Sequence, residues 1–83
     1  MTFLLEVIVN QQAFWLREKN VFTDSFKHAR RFKDARVAKN VENRLFSMNA
    51  GNLTKVNLQK SDGLIPVDVS RPQFTLVIDH ESN

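Results

Sequence analysis

Alternating apolar residues at the start of the chain predict a β-hairpin. Within residues 2–10 every second side chain of FLLEVIV is apolar and falls on one face of a strand. Leu4 and Ile8 make the other face apolar too, which is typical of a strand inside a sheet. Residues 10–12 then predict a turn, although no glycine is present to supply a positive φ, and residues 13–18 predict the second strand.

A helical period in the middle of the chain predicts one main helix that is capped by Asp34 and stops at Gly51. Its apolar arc comprises Val37, Ala38, Val41, Leu45 and Met48. Before it, a helical turn capped by one of residues 23–25 is separated from the helix by an irregular piece, because Phe32 lies about 120° out of phase with Phe26 and Val37.

The second half of the chain predicts strands. Residues 53–59 alternate in part, a turn follows at residues 61–63, and residues 73–79 form a last strand. Pro66 lies between them and cannot donate to a ladder, so its segment belongs on a sheet edge or outside the sheet. The prediction is an α+β fold of one domain, residues 1–83, with a frayed tail at 80–83.

In that fold one main helix packs on a small antiparallel sheet of three to five strands, in the order β-β-α-β-β. The 83 residues allow a single core, and 42% hydrophobic with 25% charged residues is typical of a folded domain. The chain has no cysteine, which excludes disulfides and thiolate chemistry. Neither a signal peptide nor a membrane span is indicated, so we expect a cytoplasmic protein.

Few residues of the chain are candidates for a role in catalysis, and we therefore predict that the protein is not an enzyme. His28 and His80 are the two histidines, and neither has the spacing of a metal site. Two glycines in the whole chain exclude phosphate loops of the GxGxxG type. Acidic residues are explained by caps and turns, or, for Glu18 and Glu42, by an exposed surface. No cofactor and no metal are expected.

Charge is distributed unevenly along the chain. Residues 17–60 hold eleven basic against four acidic residues, a net charge of +7, whereas residues 61–83 carry −3. The stretch KHARRFKDARVAK concentrates the basic side chains. The candidate contacts for nucleic acid or an acidic partner are Lys27, Arg30, Arg31, Lys33, Arg36, Lys39 and Arg44. The alternative is that they form a solvated surface that balances the acidic tail.

Two aromatic residues are candidates for an exposed contact with a partner. Phe46 lies about 130° from the centre of the predicted apolar arc of the helix, so it either packs under the loop after the helix or stays exposed. Trp15 shares a strand face with Arg17 and presents the same choice between burial and exposure.

The run from Trp15 to Leu45 resembles small uncharacterised proteins of phages and prophages from Gram-positive hosts. The matching positions follow a hairpin, an F-T-D, a K-x-A-x-x-F and a helix with alanine near its start. They are Phe22, Thr23, Asp24, Lys27, Ala29, Phe32, Ala35 and Ala38. The resemblance covers about the first half of the chain and implies a protein of a mobile element.

The sequence thus predicts a non-enzymatic interaction protein, encoded by a phage or mobile element, that binds a host or phage protein in the host cytoplasm. Unpaired strands at the sheet edges, or the basic face of the helix, would allow binding of a partner or of a second copy of the chain. The alternative function is nucleic-acid binding through residues 27–39.

Overall fold

The computed structural model describes residues 1–47 and 53–80, which form one six-stranded mixed sheet and one main helix. The strands are β1 (Thr2–Val9), β2 (Gln12–Glu18), β3 (Val21–Thr23), β4 (Leu53–Lys60), β5 (Gly63–Ser70) and β6 (Phe74–Asp79), and the helix is α1 (Ala35–Ser47). Two 3₁₀-helices cover Phe26–His28 and Arg71–Gln73. The strands lie in the order β5-β4-β3-β2-β1-β6.

The predicted α+β class is confirmed, but the described sheet has six strands rather than three to five, and the order of strands and main helix is β-β-β-α-β-β-β rather than β-β-α-β-β. β3 was not foreseen, because three residues are too few to show an alternating pattern. It pairs with β4 in parallel, so the sheet is mixed rather than antiparallel. A parallel pair requires a long crossover, and α1 supplies it. Pro66 lies on β5, at an edge of the sheet.

The turn between β1 and β2 consists of two residues with positive φ. Asn10 has φ 52° and Gln11 has φ 68°, and Val9 pairs with Gln12 on either side of them. Two left-handed residues in a two-residue loop define a type I′ turn, whose twist matches that of the flanking strands. The predicted hairpin therefore forms without glycine, at the cost of a strained conformation at Gln11.

Helix α1 packs on the face of the sheet that carries most of the core. The buried core residues on the strands of this face are Leu5, Val7, Phe14, Leu16, Phe22, Val56, Leu58, Val69 and Phe74. From α1, Ala38 and Leu45 join them. The alternating apolar residues predicted for β1 and β2 lie in this layer between the sheet and the helix.

The buried face of α1 differs from the prediction. Val37 is 45% exposed, whereas Glu42 is 3% exposed and Phe46 packs against the core. At 100° per residue the observed face is rotated by about 60° from the predicted arc, toward Glu42 and Phe46. The expectation that Glu42 lies on an exposed surface is therefore wrong. Met48 and Gly51 lie outside the described residues.

Residues 30–32 fill a gap between β1 and β2. The two strands pair only near their shared turn, up to Glu6 and Trp15. Beyond that point the N–H of Arg30 donates to the carbonyl of Leu16, with 2.8 Å between N and O. Phe3 and Phe32 exchange two backbone hydrogen bonds, each of 2.8 Å. The predicted interruption before the main helix is confirmed, and its phenylalanine is buried.

Candidate functional site

The structure divides the seven basic candidates among separate surroundings, and Arg31 is held inside the fold. Its Nε lies 3.0 Å from Oδ2 of Asp79, and its Nη1 donates to the carbonyls of Phe26 at 2.6 Å and Ala29 at 2.8 Å. Its guanidinium also lies over the Phe26 ring, 4.8 Å from the centroid. These contacts use its donors for intramolecular anchoring.

Arg36 and Lys39 form ion pairs within or beside α1. The Asp34 carboxylate caps the helix, because its Oδ1 accepts the backbone N–H of Arg36 at 2.8 Å, and its Oδ2 lies 3.2 Å from Nη2 of the same arginine. Hydrogen bonds from the Arg36 side chain and backbone lower the pKa of Asp34, and the side-chain hydrogen bond with Asp34 raises the pKa of Arg36. Lys39 Nζ lies 2.8 Å from Oε2 of Glu42.

Lys27 and Lys33 are exposed, and neither forms an ion pair with any residue in the described ranges. They flank the segment that carries Arg31. The predicted basic segment is therefore interrupted. Between Lys27 and Lys33 lies Arg31, whose side chain is held by contacts within the fold. Such an arrangement presents no continuous row of cations to a phosphate backbone.

Arg30 and Arg44 lie together at a cavity of about 450 Å³ on the helix side of the sheet. Lys19, from the turn between β2 and β3, is the third cation that lines it. Asn20 contributes an amide, and Val41 and Leu45 of α1 contribute an apolar wall. The sequence did not indicate Lys19, because its place depends on the missed strand β3.

A more polar cavity of about 390 Å³ contains Ser25 and His28, with 2.8 Å between Oγ and Nδ1. Asp24 lines the same cavity, but no carboxylate of the described residues forms a hydrogen bond with His28. The contact spans three residues and closes the turn of the 3₁₀-helix. A catalytic serine requires a histidine that is oriented by a third side chain, such as a carboxylate. Within residues 1–47 and 53–80, no such side chain orients His28.

The two aromatic candidates are both half-buried rather than freely exposed. Phe46 packs edge to face on Phe74 with 5.0 Å between centroids, and Arg71 covers it at 4.1 Å. The rotation of α1 explains this burial. Trp15 donates its Nε1–H to Glu6 at 2.9 Å and contacts the ring of Phe26, 5.0 Å away between centroids.

Trp15 nevertheless borders a third cavity, of about 340 Å³, which lies beside the edge strand β6. Phe26, Val77, Ile78 and His80 line this cavity together with Glu6. The cavity combines aromatic and aliphatic walls with a carboxylate and an imidazole. Its lining is more apolar than polar, and it is shallow and open to solvent.

The two edges of the described sheet differ in what they offer to another strand. On β4 the backbone N–H of Asn57 donates to the carbonyl of Asn20 and therefore points toward β3, away from β5. Pro66 lies opposite Asn57 in the antiparallel pair, so the backbone of Pro66 points toward the open edge of β5. Proline has no N–H to donate there. Further along the same edge, the N–H of Ser70 is occupied by Oε1 of Gln73 at 2.6 Å. The edge of β5 is thus interrupted.

The edge of β6 keeps its donors. The N–H and carbonyl of Phe3 bond to Phe32 and therefore point away from β6. Ile78 lies opposite Phe3 in the antiparallel pair, so the N–H and carbonyl of Ile78 point toward the open edge. The alternation of the ladder places the backbone of Leu76 in the same direction. Ile78 is also 43% exposed. The edge of β6 presents two outward N–H groups beside the cavity at Trp15.

No protein family, curated protein or solved structure matches this chain. Within residues 1–47 and 53–80, no helix is long and apolar enough to cross a membrane. The same parts of the chain bring together no group of three His, Cys, Asp or Glu residues that could hold a metal ion.

Proposed function

We propose that this protein is a non-enzymatic binding protein that takes an extended segment of a host or phage protein as an additional strand along β6. The observation that carries the proposal is the outward backbone of Leu76 and Ile78 on an edge strand that contains no proline. Strand addition obtains affinity from such main-chain groups. The opposite edge is less suitable because Pro66 interrupts it.

Side-chain pockets next to the edge support this mode of binding. In an added strand, alternate side chains point to opposite faces of the sheet. On one face they meet the cavity lined by Trp15, Phe26 and Val77, and on the other they meet the exposed Ile78. An apolar residue in the incoming segment would lose part of its contact with water in that cavity, which gives the interaction a sequence preference.

The experiment compares capture of host and phage proteins by the wild type and by three variants at one position. Ile78→Pro removes an outward N–H without removing a ladder bond to β1, and Ile78→Lys keeps the N–H but adds a charge at the edge. Ile78→Val is the matched control. Circular dichroism and thermal unfolding check that each variant is folded.

A stoichiometric partner that the wild type and Ile78→Val retain, and that the proline and lysine variants lose, is the expected result. Equal capture by all four proteins contradicts strand addition at β6. Light scattering addresses the homodimer: a wild-type dimer that becomes monomeric in Ile78→Pro identifies the partner as a second copy of the chain.

The origin in a phage or other mobile element, and action in the host cytoplasm, belong to the same proposal. They are supported by the resemblance that runs from Trp15 to Leu45. Genomic neighbourhood tests them directly. Genes for phage replication, packaging or defence evasion on both sides of this gene are expected, and a neighbourhood of housekeeping genes in every available genome contradicts the origin.

Nucleic-acid binding is the second candidate function, and the free side chains of Lys27 and Lys33 favour it. Fluorescence anisotropy with single-stranded and double-stranded oligonucleotides at low salt tests it. Binding tighter than about 100 μM, weakened by salt and by the double change Lys27→Gln with Lys33→Gln, is expected if it holds. Binding that the double variant does not weaken excludes this segment.

A further inference from the structure

We propose that Lys19, Arg30 and Arg44 form a binding site for a phosphate dianion, carried by a small organic monoester or present as the free ion. The three cations line one cavity of about 450 Å³, and no acidic residue in the described part of the chain lines it. A volume of this size is within the range of small-molecule sites. The cavity lies apart from β6, so this proposal goes beyond the function proposed above and is independent of it.

Each cation reaches the cavity from a different element. Lys19 lies in the turn between β2 and β3 with φ 49°, a left-handed conformation that is uncommon for lysine. Arg44 belongs to the last turn of α1. Arg30 is placed by its backbone bond to Leu16 on β2. The cluster therefore arises from tertiary structure and is absent from any single stretch of the sequence.

The Arg30 side chain is exposed, but its guanidinium packs on an aromatic ring. Its guanidinium lies over the Phe32 ring, 4.5 Å from the centroid, and Phe32 is buried. A cation held on an aromatic face loses less rotamer freedom on binding than a free surface arginine. Within the described residues, none of the three cations forms an ion pair, so their charges remain available to an anion.

The charge of the site favours a phosphate dianion over a single carboxylate. A phosphate monoester carries about −1.5 to −2 at neutral pH and offers three acceptor oxygens. Two guanidinium groups can hold these oxygens in a fork geometry, and the lysine adds a compact point charge. One carboxylate would leave most of the positive charge unbalanced. A phosphate dianion matches the three cations more closely than a carboxylate does, because it carries more negative charge and offers more acceptor oxygens to their N–H donors.

The walls of the cavity suggest how an organic ester would be held. Val41 and Leu45 line it opposite the polar groups, and Asn20 adds an amide that can donate or accept. An apolar or aromatic group attached to the phosphate would contact these aliphatic side chains. The concave shape and the limited number of cations suit a discrete phosphate better than a run of phosphodiesters.

Isothermal titration calorimetry of the full chain, with inorganic phosphate and with phenyl phosphate as probes, tests the proposal. Saturable binding with a Kd of about 1 mM or below is expected for at least one probe. Arg44→Gln and Lys19→Gln should each weaken it by about tenfold, as the loss of a charge-assisted hydrogen bond predicts. Lys55→Gln is the matched control, because it removes the same charge from an exposed position on β4, outside the cavity.

The order of the two probes identifies the source of the phosphate. Tighter binding of phenyl phosphate assigns the cavity to an organic ester that uses the apolar wall, and tighter binding of inorganic phosphate assigns it to the free ion. The proposal is overturned if neither probe binds saturably, or if Lys55→Gln weakens binding as much as the cavity variants do. It is also overturned if the phosphodiester dimethyl phosphate binds as tightly as phenyl phosphate.

Discussion

Arg31 and Asp79 form a salt bridge, with 3.0 Å between Nε and Oδ2, that joins positions 48 residues apart. The carboxylate is almost completely buried, while the arginine side chain is 26% exposed. Thr2 Oγ1 donates to the same carboxylate oxygen at 3.1 Å. The pair therefore attaches the segment between β3 and α1 to the end of β6, the strand whose edge is the proposed binding surface.

Replacing Arg31 with methionine should lower the free energy of unfolding by roughly 2 kcal/mol, because it removes a charged partner from the buried carboxylate of Asp79. Chemical denaturation measures this loss. The matched control is Arg36→Met, whose ion pair with Asp34 is solvent-exposed and should change stability little. Equal effects of the two substitutions would show that the Arg31 salt bridge contributes no more than a surface pair.

The helix cap predicts a specific pH dependence. The Arg36 side chain and backbone lower the pKa of Asp34. The folded state therefore favours the ionised carboxylate, and its contribution to stability is present above the unfolded pKa and is lost as the pH falls through the lower, folded pKa. A carbon-detected NMR titration should find Asp34 below the usual aspartate value. In Arg36→Gln this pKa should rise, and an unchanged pKa would contradict the assigned cause.

The parts of the fold that could be predicted are those that local chemistry determines. Asp34 precedes a helical period, so its role as a cap follows from spacing alone. The lack of an N–H places Pro66 at an edge in any sheet. β3 could not be predicted, because its three residues are ordered by pairing with β4 and β2 rather than by a pattern of their own.

The candidate site was only partly accessible from the sequence for the same reason. Arg30 and Arg44 were recognised as basic residues, but their meeting with Lys19 depends on the insertion of residues 30–32 between β1 and β2 and on the turn after β2. The inward direction of Arg31 depends on Asp79, at the far end of the chain. The clustering of the three cations and the direction of Arg31 both depend on contacts between distant parts of the chain, which a single sequence does not show.

Glu42 is the buried acid that the apolar arc of α1 failed to predict. Its Oε2 lies 2.8 Å from Nζ of Lys39 and 4.0 Å from Nη1 of Arg71, yet it accepts no well-aligned hydrogen bond from the described residues. Glu42→Met should leave the free energy of unfolding unchanged or raise it by about 1 kcal/mol, since a buried ion pair is often no more stabilising than an apolar residue of similar volume.

Glu42→Ala is the control for this position, because it removes the same charge but leaves a cavity and should be clearly destabilising. Thermal and chemical denaturation of both variants measure the difference. A loss of stability in the methionine variant as large as in the alanine variant would show that the contacts with Lys39 and Arg71 stabilise the helix more than burial of the charge costs.

The β1–β2 turn allows stability to be gained at Gln11. This residue has φ 68°, where its Cβ is strained, and it is exposed, so its side chain has little packing to lose. Gln11→Gly creates the Asn-Gly pair that type I′ turns prefer and should raise the free energy of unfolding by roughly 0.5–1 kcal/mol. Gln11→Val should lower it, because a β-branched residue tolerates positive φ least. Urea denaturation of the three proteins measures both changes. If glycine is neutral and valine is tolerated, the turn does not require two left-handed residues, and the twist of the flanking strands must come from their pairing alone.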